Sequence, residues 1–400
     1  MIAPDDQRRP DQPPLPRRGG LSSGFHPSSH GSSRGSWWTP LAPAFLLWTL
    51  LAPGMLGGCF QTPHRDPAPL SGDPLQPLYR NSWRAPHGLA LGLYSKDPSY
   101  DYGTALAEIA ATGANAVELV IQYYQERIDS VTVGISNPGT PPWRQVERTI
   151  EQARELGLDV HLMPIVLLAD KGPEDWRGVI EPTHVGRWHR SYRAWMVDLA
   201  RRAQQAGVTA LCVGSEFNSR QGEREEWLRT IAEVRRVYRG AITYSANWDS
   251  YREVAFLDAL DALGMTTYHP LAKDENFDPT PDQLISAWLP LRSELIRWQQ
   301  ESKIPMFFTE VGYPSIDGAA LYPWDYTRSE APIDELEQYD CLNAFGAVWT
   351  GVPELQGVFF FVWWGAGGPL DRGYTPRGKK GLEVIERWFR KNAAGEGSAR

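Results

Sequence analysis

From Leu89 onward the chain alternates between two hydrophobic rhythms. Short apolar runs, rich in β-branched and aromatic residues, appear at 89–94 (LALGLY), 116–124 (AVELVIQYY), 159–166 (DVHLMPIV) and 210–217 (ALCVGSEF). Four more follow at 241–247 (AITYSAN), 262–268 (ALGMTTY), 305–313 (PMFFTEVGY) and 357–364 (GVFFFVWW). Runs of this length and composition read as strands. The segments near 101–112, 143–156, 184–206, 222–239, 251–260, 281–301, 334–350 and 378–391 instead repeat their apolar positions with helical period. Gly113, Gly157, Gly207 and Gly240 stand where helices hand over to strands, and glycine accepts the left-handed conformation of a helix end without a Cβ clash. Eight strand–helix units predict an α/β protein, a (β/α)8 TIM barrel in one catalytic domain. A doubly wound open sheet would call for fewer strands, or for a glycine-rich phosphate loop after the first one. LGLYSKDPS is no such loop.

The residues ahead of the barrel differ in kind. Residues 1–35 are rich in Pro, Gly, Ser and Arg and lack apolar periodicity. Such a stretch cannot bury enough apolar surface to offset chain entropy, so it is expected to be disordered. Trp37–Leu56 is apolar but carries three prolines, which argues against a stable membrane-spanning helix. Arginines precede it and Leu56-Gly57-Gly58-Cys59 follows, the layout of a secretory signal. The ending resembles a bacterial lipobox, in which Cys59 would be lipidated and become the mature N-terminus. Residues 1–58 are therefore expected to be a lipoprotein-type signal segment of an exported, cell-envelope protein. Residues 59–82 form a proline-rich linker, 83–393 the barrel and 394–400 a tail. Membrane contact is expected only through the lipid anchor. Cys212 and Cys341 fall on elements across the barrel from each other, too far apart to pair, and are expected to be buried thiols.

Charge narrows the partners. The formal net charge is −8, and residues 1–58 hold five Arg against three Asp, so the acidic excess lies in the barrel. No Lys/Arg stripe stands out, which excludes a nucleic-acid partner. The barrel's histidines His87, His161, His184, His189 and His269 are scattered and no HExxH occurs, so neither a metal nor a cofactor is expected. No GxSxG elbow and no GxxxxGK[ST] loop is present. A monomer is expected.

In a barrel of this type the chemistry sits at the C-terminal ends of the strands. The fourth strand ends Gly214-Ser215-Glu216-Phe217-Asn218 and the seventh Thr309-Glu310-Val311-Gly312-Tyr313. Two facing carboxyls are what glycosidic cleavage needs: one protonates the leaving oxygen, the other stabilises or traps the anomeric carbon. The remaining ends supply Gln122, Tyr123 and Tyr124; Asn247, Trp248 and Asp249; Tyr268 and His269; and Trp363 and Trp364. Aromatic platforms beside amides and hydroxyls suit a sugar. Alternation along a strand lets only one of Trp363 and Trp364 face the mouth. The long loops 169–183 and 314–333, bearing Trp176, Tyr322, Trp324 and Tyr326, are expected to wall the cleft.

These stretches resemble a known family. From about His87 to Lys380 the chain is similar to glycoside hydrolase family 113, a clan A group best known for β-1,4-mannanases. The resemblance is carried by ELVIQYYQ (118–125), WRGVIEP (176–182), CVGSEFN (212–218), ITYSANWDSY (242–251), MTTYHPL (265–271), FFTEVGYPSIDGAA (307–320), PW (323–324) and GYTPRGK (373–379). It implies an acid/base at Glu216, a nucleophile at Glu310, and Tyr268 with Trp363 or Trp364 lining the reacting sugar's subsite. Where members tend to carry a polar Lys-Pro-His-Val-Asp stretch after the third strand, this chain reads Met163-Pro164-Ile165-Val166-Leu167-Leu168. Ser215 stands where the wider clan often has Asn.

The expectation is thus a retaining hydrolase of a β-linked polysaccharide or oligosaccharide, with β-1,4-mannan foremost. Glu216 and Glu310 are the catalytic residues. Tyr124, Asn247, Trp248, Tyr268, Trp363 and Trp364 bind the substrate. A non-catalytic glycan-binding lipoprotein and an envelope transglycosylase are the alternatives.

Overall fold

A computed structural model describes residues 73–79, 84–275, 277–328 and 330–397. The signal segment, Cys59 and the first part of the linker lie outside these residues. In chain order the elements are β1 (His87–Gly92), α1 (Gly103–Ala111), β2 (Ala116–Gln125), β3 (Val133–Ile135), α2 (Trp143–Glu155), β4 (Asp159–Leu168), α3 (Val185–Ala206), β5 (Ala210–Ser215) and α4 (Arg224–Val237). They continue with β6 (Ala241–Ala246), β7 (Ala262–Thr266), α5 (Pro281–Ser302), β8 (Met306–Val311), α6 (Glu335–Trp349), β9 (Leu355–Trp363) and α7 (Gly381–Gly397). No helix among the described residues is long and apolar enough to cross a membrane.

The strands order as β1-β9-β8-β7-β6-β5-β4-β2, and β1 also pairs with β2, so eight parallel strands close on themselves as a TIM barrel. The short β3 was not foreseen. It pairs antiparallel with the end of β2, Tyr124 opposite Ile135, and three residues are too few to show a period.

The segment 251–260 departs from the expected helix. It forms two single 3-10 turns, Tyr251–Glu253 and Leu257–Ala259. Tertiary contacts override its apolar spacing. Phe256 stacks on Trp227 with centroids 4.9 Å apart, Ala255 N–H donates to the Gln221 carbonyl, and Arg224 takes the Ala255 carbonyl. The glycines also divide. Gly207 ends α3 in the left-handed region at φ 77°, as expected. Gly240 does not adopt positive φ; there a Cβ would lie 2.1 Å from the Tyr238 hydroxyl, so close packing is what requires the small residue.

Alternation along each strand separates two apolar systems. Outward residues such as Leu91, Leu119, Leu162, Val213, Ile242, Met265, Phe308 and Phe360 meet the helices in the main core. Inward residues stack in layers. Ala116, Ala262, Phe307 and Phe359 close the floor, and Ala90, Val120, Met163, Ile165, Cys212 and Phe361 lie nearer the mouth. The apolar run on β4 is thus interior packing. Cys212 and Cys341 are buried free thiols.

Residues 73–79, expected as part of the linker, are hydrogen-bonded to the barrel. Tyr79 N–H donates to the Asp261 carboxylate at 2.7 Å, and the Tyr79 hydroxyl donates to the Arg239 carbonyl at 2.8 Å.

Candidate active site

Both glutamates singled out from the sequence follow a break in strand register. Cys212 pairs with Thr243 and Ser215 with Ser245, so β5 advances three residues while β6 advances two. On β8, Met265 faces Phe308 but Thr266 faces Glu310, again one residue extra. Such bulges re-aim a side chain at a barrel rim. They allow Thr309 and Glu310, neighbours that strict alternation would send to opposite faces, both to make inward contacts. Glu216 adds a second device: its φ is 53°, a left-handed conformation uncommon for a residue with a Cβ. Its N–H donates to the Ser245 carbonyl at 2.8 Å, and the next N–H, of Phe217, donates to the Tyr244 hydroxyl at 3.0 Å.

The two glutamates belong to one level of the barrel mouth. Ser245, whose carbonyl holds Glu216, is hydrogen-bonded through its hydroxyl to that of Thr309 at 2.6 Å, and Thr309 precedes Glu310. The Tyr268 hydroxyl donates to Glu310 Oε2 at 2.6 Å. Thr267, through its N–H and its hydroxyl, binds the Glu310 carbonyl at 2.9 Å. Glu216 is paired with Arg177, which donates through Nη2 to Oε2. Glu216, Glu310 and Arg177 are all almost completely buried.

Around this pair stand the other expected residues. Tyr124 and Gln122 point inward from β2, their polar ends 3.3 Å apart. Asn247 Oδ1 accepts from the Thr266 hydroxyl, whose oxygen also accepts from Trp248 N–H. Trp248 stacks on Trp324 with centroids 6.1 Å apart and rings 22° from parallel. Tyr322, Trp324 and Tyr326, all on the 314–333 loop, pack on the inward cluster, as expected of a cleft wall. Trp363 and Trp364 separate as alternation requires. Trp364 is half-buried against the inward cluster, edge-on to Tyr94 at 5.5 Å. Trp363 turns outward into the helix layer, where its Nε1–H donates to Glu108 of α1 at 3.2 Å. The expectation that Trp363 contacts substrate is corrected by that orientation: a third bulge, Leu89 opposite Phe360 but Leu91 opposite Trp363, sets its side.

Two groups were not singled out from the sequence. Arg177 sat unremarked within WRGVIEP, because a residue on an aperiodic loop gives no sign of its burial. Tyr374 lay within GYTPRGK. Its hydroxyl donates to the Pro323 carbonyl at 2.7 Å, and its ring meets Tyr268 and Phe361 edge-on. Lys379 braces this loop, donating to Ser315 Oγ at 2.7 Å, Asp371 at 2.8 Å and the Gly373 carbonyl at 3.0 Å. Burial pushes its ammonium below the usual lysine range against the pull of Asp371. His269, beside Trp248 and Trp288, is pushed down to about 4 by burial and stays neutral. Among the described residues no group of three or more His, Cys, Asp or Glu is placed to hold a metal ion. A cavity of about 490 Å³ lies at the opposite end of the barrel beside Tyr79, Asp159 and Ala241, away from both glutamates.

The family model of Glycoside Hydrolase Family 113 matches residues 91–371. Among solved structures, a GH113 β-mannanase from Alicyclobacillus acidocaldarius, in complex with ManMIm, superposes with a TM-score of 0.68 at 26% identity, covering 77% of this chain and 98% of that one. A GH113 β-1,4-mannanase superposes with the same score at 22% identity over 77% and 99% of the two chains, a likeness of fold. No curated protein matches the chain. With the family match spanning most of the chain, the protein belongs to Glycoside Hydrolase Family 113 and is a glycoside hydrolase.

Proposed function

We propose that the protein is a retaining β-mannanase in which Glu216 is the general acid/base and Glu310 the nucleophile. The observation that carries this reading is the pair of glutamates on β5 and β8, re-aimed by bulges and joined at one level through Ser245 and Thr309. In the first step Glu310 attacks the anomeric carbon while Glu216 gives its proton to the departing glycosidic oxygen. In the second step Glu216 takes a proton from water, and the water oxygen displaces Glu310 from the sugar. Tyr268 orients the attacking carboxylate by its hydroxyl. Trp364, Trp248 and Trp324 offer ring faces to sugar C–H groups. β-Mannan is favoured because the Alicyclobacillus neighbour is a β-mannanase.

The test is proton NMR of mannohexaose digestion. Newly formed reducing ends should appear first as the β-anomer and mutarotate afterwards. Initial release of the α-anomer would overturn the double displacement, and cleavage confined to gluco- or xylo-oligosaccharides would overturn the substrate. The signal-like segment supports a further reading, that the enzyme is exported and anchored through lipidated Cys59. Mass spectrometry of the mature N-terminus tests it, and an unmodified Cys59 would reject it.

A further inference from the structure

We propose that Arg177 is a positioning residue that holds the Glu216 carboxylate in place through both steps of the reaction. The inference rests on Glu216 as the acid/base. Arg177 opens a single 3-10 turn, Arg177–Val179, on the loop between β4 and α3. It is fully buried and donates through Nη2 to Glu216 Oε2. Both ends of the pair are fixed by backbone. Ser219, three residues past Glu216, donates its N–H to the Gly178 carbonyl at 2.9 Å and its hydroxyl to the Ile180 carbonyl at 2.8 Å, so the Arg177 turn is stitched to the Glu216 segment. Glu216 itself is held in its left-handed conformation by Ser245 and by the Phe217–Tyr244 bond. The guanidinium carbon lies 6.0 Å from the Trp176 ring centre.

The chemistry of guanidinium decides what this can do. Arginine stays protonated in proteins, so it cannot replace Glu216 as a proton donor. Its planar fork can fix one carboxylate oxygen while the other exchanges the proton. When Glu216 gives its proton to the leaving oxygen, negative charge appears on a carboxylate already facing a fixed cation. When Glu216 then takes a proton from water, the same contact keeps the base aligned. The positive charge of Arg177 is unchanged in both steps. Arrangements that meet developing charge without reorganising are those that lower a barrier.

The experiment compares Arg177→Met and Arg177→Lys with wild type on the mannan oligosaccharide it cleaves, and on 2,4-dinitrophenyl and phenyl β-mannobiosides. Arg177→Met should lower kcat on the oligosaccharide about tenfold to a hundredfold, with KM nearly unchanged. Its kcat/KM for the dinitrophenyl glycoside should fall much less than for the phenyl one, because a good leaving group needs no proton. Arg177→Lys should recover part of the loss. Equal losses on both aryl glycosides, or unchanged kcat, would overturn the proposal. Glu216→Gln and Glu310→Gln are assayed in parallel. If those variants keep wild-type rates, the catalytic assignment itself has failed; if they do not and Arg177→Met does, only the positioning role has failed.

Discussion

Glu118 and Glu216 are both carboxylates buried inside the same barrel, yet they are held in opposite ways. Glu118 lies near the floor on β2, where the register with β4 runs unbroken from Ala116 opposite Asp159 to Gln125 opposite Leu168. Its partner His161 is its direct cross-strand neighbour, with Nδ1 2.6 Å from Oε2, and Nε2 lies 2.8 Å from the Thr243 hydroxyl. Burial pushes His161 down to about 3. The ring is therefore neutral, with Nδ1–H donating to Glu118 and Nε2 accepting from Thr243. Every part of this triad comes from strand positions in ordinary conformation. Glu216 instead follows a bulge, has positive φ and takes its cation from a loop. The floor shows what strand periodicity alone provides, a buried carboxylate paired across adjacent strands. The mouth shows departures from periodicity, and such departures persist where function requires a particular aim.

The comparison breaks if the two regions do not separate activity from stability. Glu310→Gln should reduce turnover by roughly 10⁴-fold or more while thermal unfolding stays near that of wild type. Glu118→Leu should do the reverse. It leaves the His161 Nδ1–H without its acceptor, costing about 1–3 kcal/mol of stability, with kcat at low temperature near wild type. Activity assays and denaturant titrations on the same preparations decide both. A Glu118→Leu enzyme that is stable but inactive would move the floor into the catalytic machinery.

A smaller effect sharpens the floor by pH. His161 and His269 are held neutral by burial, to about 3 and about 4. Glu118, Thr243, Phe307 and Phe359 face His161; Trp248 and Trp288 face His269, and the more distant Glu294 opposes the shift. Between those values and about 6.5 the unfolded chain binds protons that the native state does not, so stability rises with pH in this window. It is complete above about 6.5 and is lost as pH falls towards 4. At pH 5 the loss relative to pH 7 is about 2 kcal/mol for each histidine. Urea unfolding at the two pH values measures the change, and His161→Gln should make it smaller by about 2 kcal/mol. A variant with the full wild-type slope would place the titration elsewhere.

Much of this was legible in the sequence, and the exceptions have physical reasons. The eight strands, seven of the eight helices and the two glutamates follow from period and strand-end position, because each strand buries two faces and the two glutamates stand directly at strand ends. The eighth helix failed at 251–260, where Phe256 is drawn onto Trp227. His161 appeared only as one scattered histidine, since its pairing with Glu118 requires the register of two strands. Arg177 was invisible because loop residues carry no period, and its burial depends on Ser219 pinning the turn from another segment.

The smallest expected effects fall on the tryptophan pair, which tests how far alternation alone can assign a role. Trp364 lies half-buried at the mouth beside Tyr94, and Trp363 donates to Glu108 among the helices. Trp364→Ala should raise KM for mannohexaose roughly two- to tenfold, the scale of one aromatic contact, with little change in stability. Trp363→Phe keeps one aromatic ring but loses the second ring and the bond to Glu108, so it should cost about 1–2 kcal/mol of stability and leave KM unchanged. The β9 bulge makes these opposite outcomes expected of adjacent residues of the same type. If Trp363→Phe raised KM and Trp364→Ala did not, the two side chains would have exchanged faces in solution, and the β9 register that places them would be wrong.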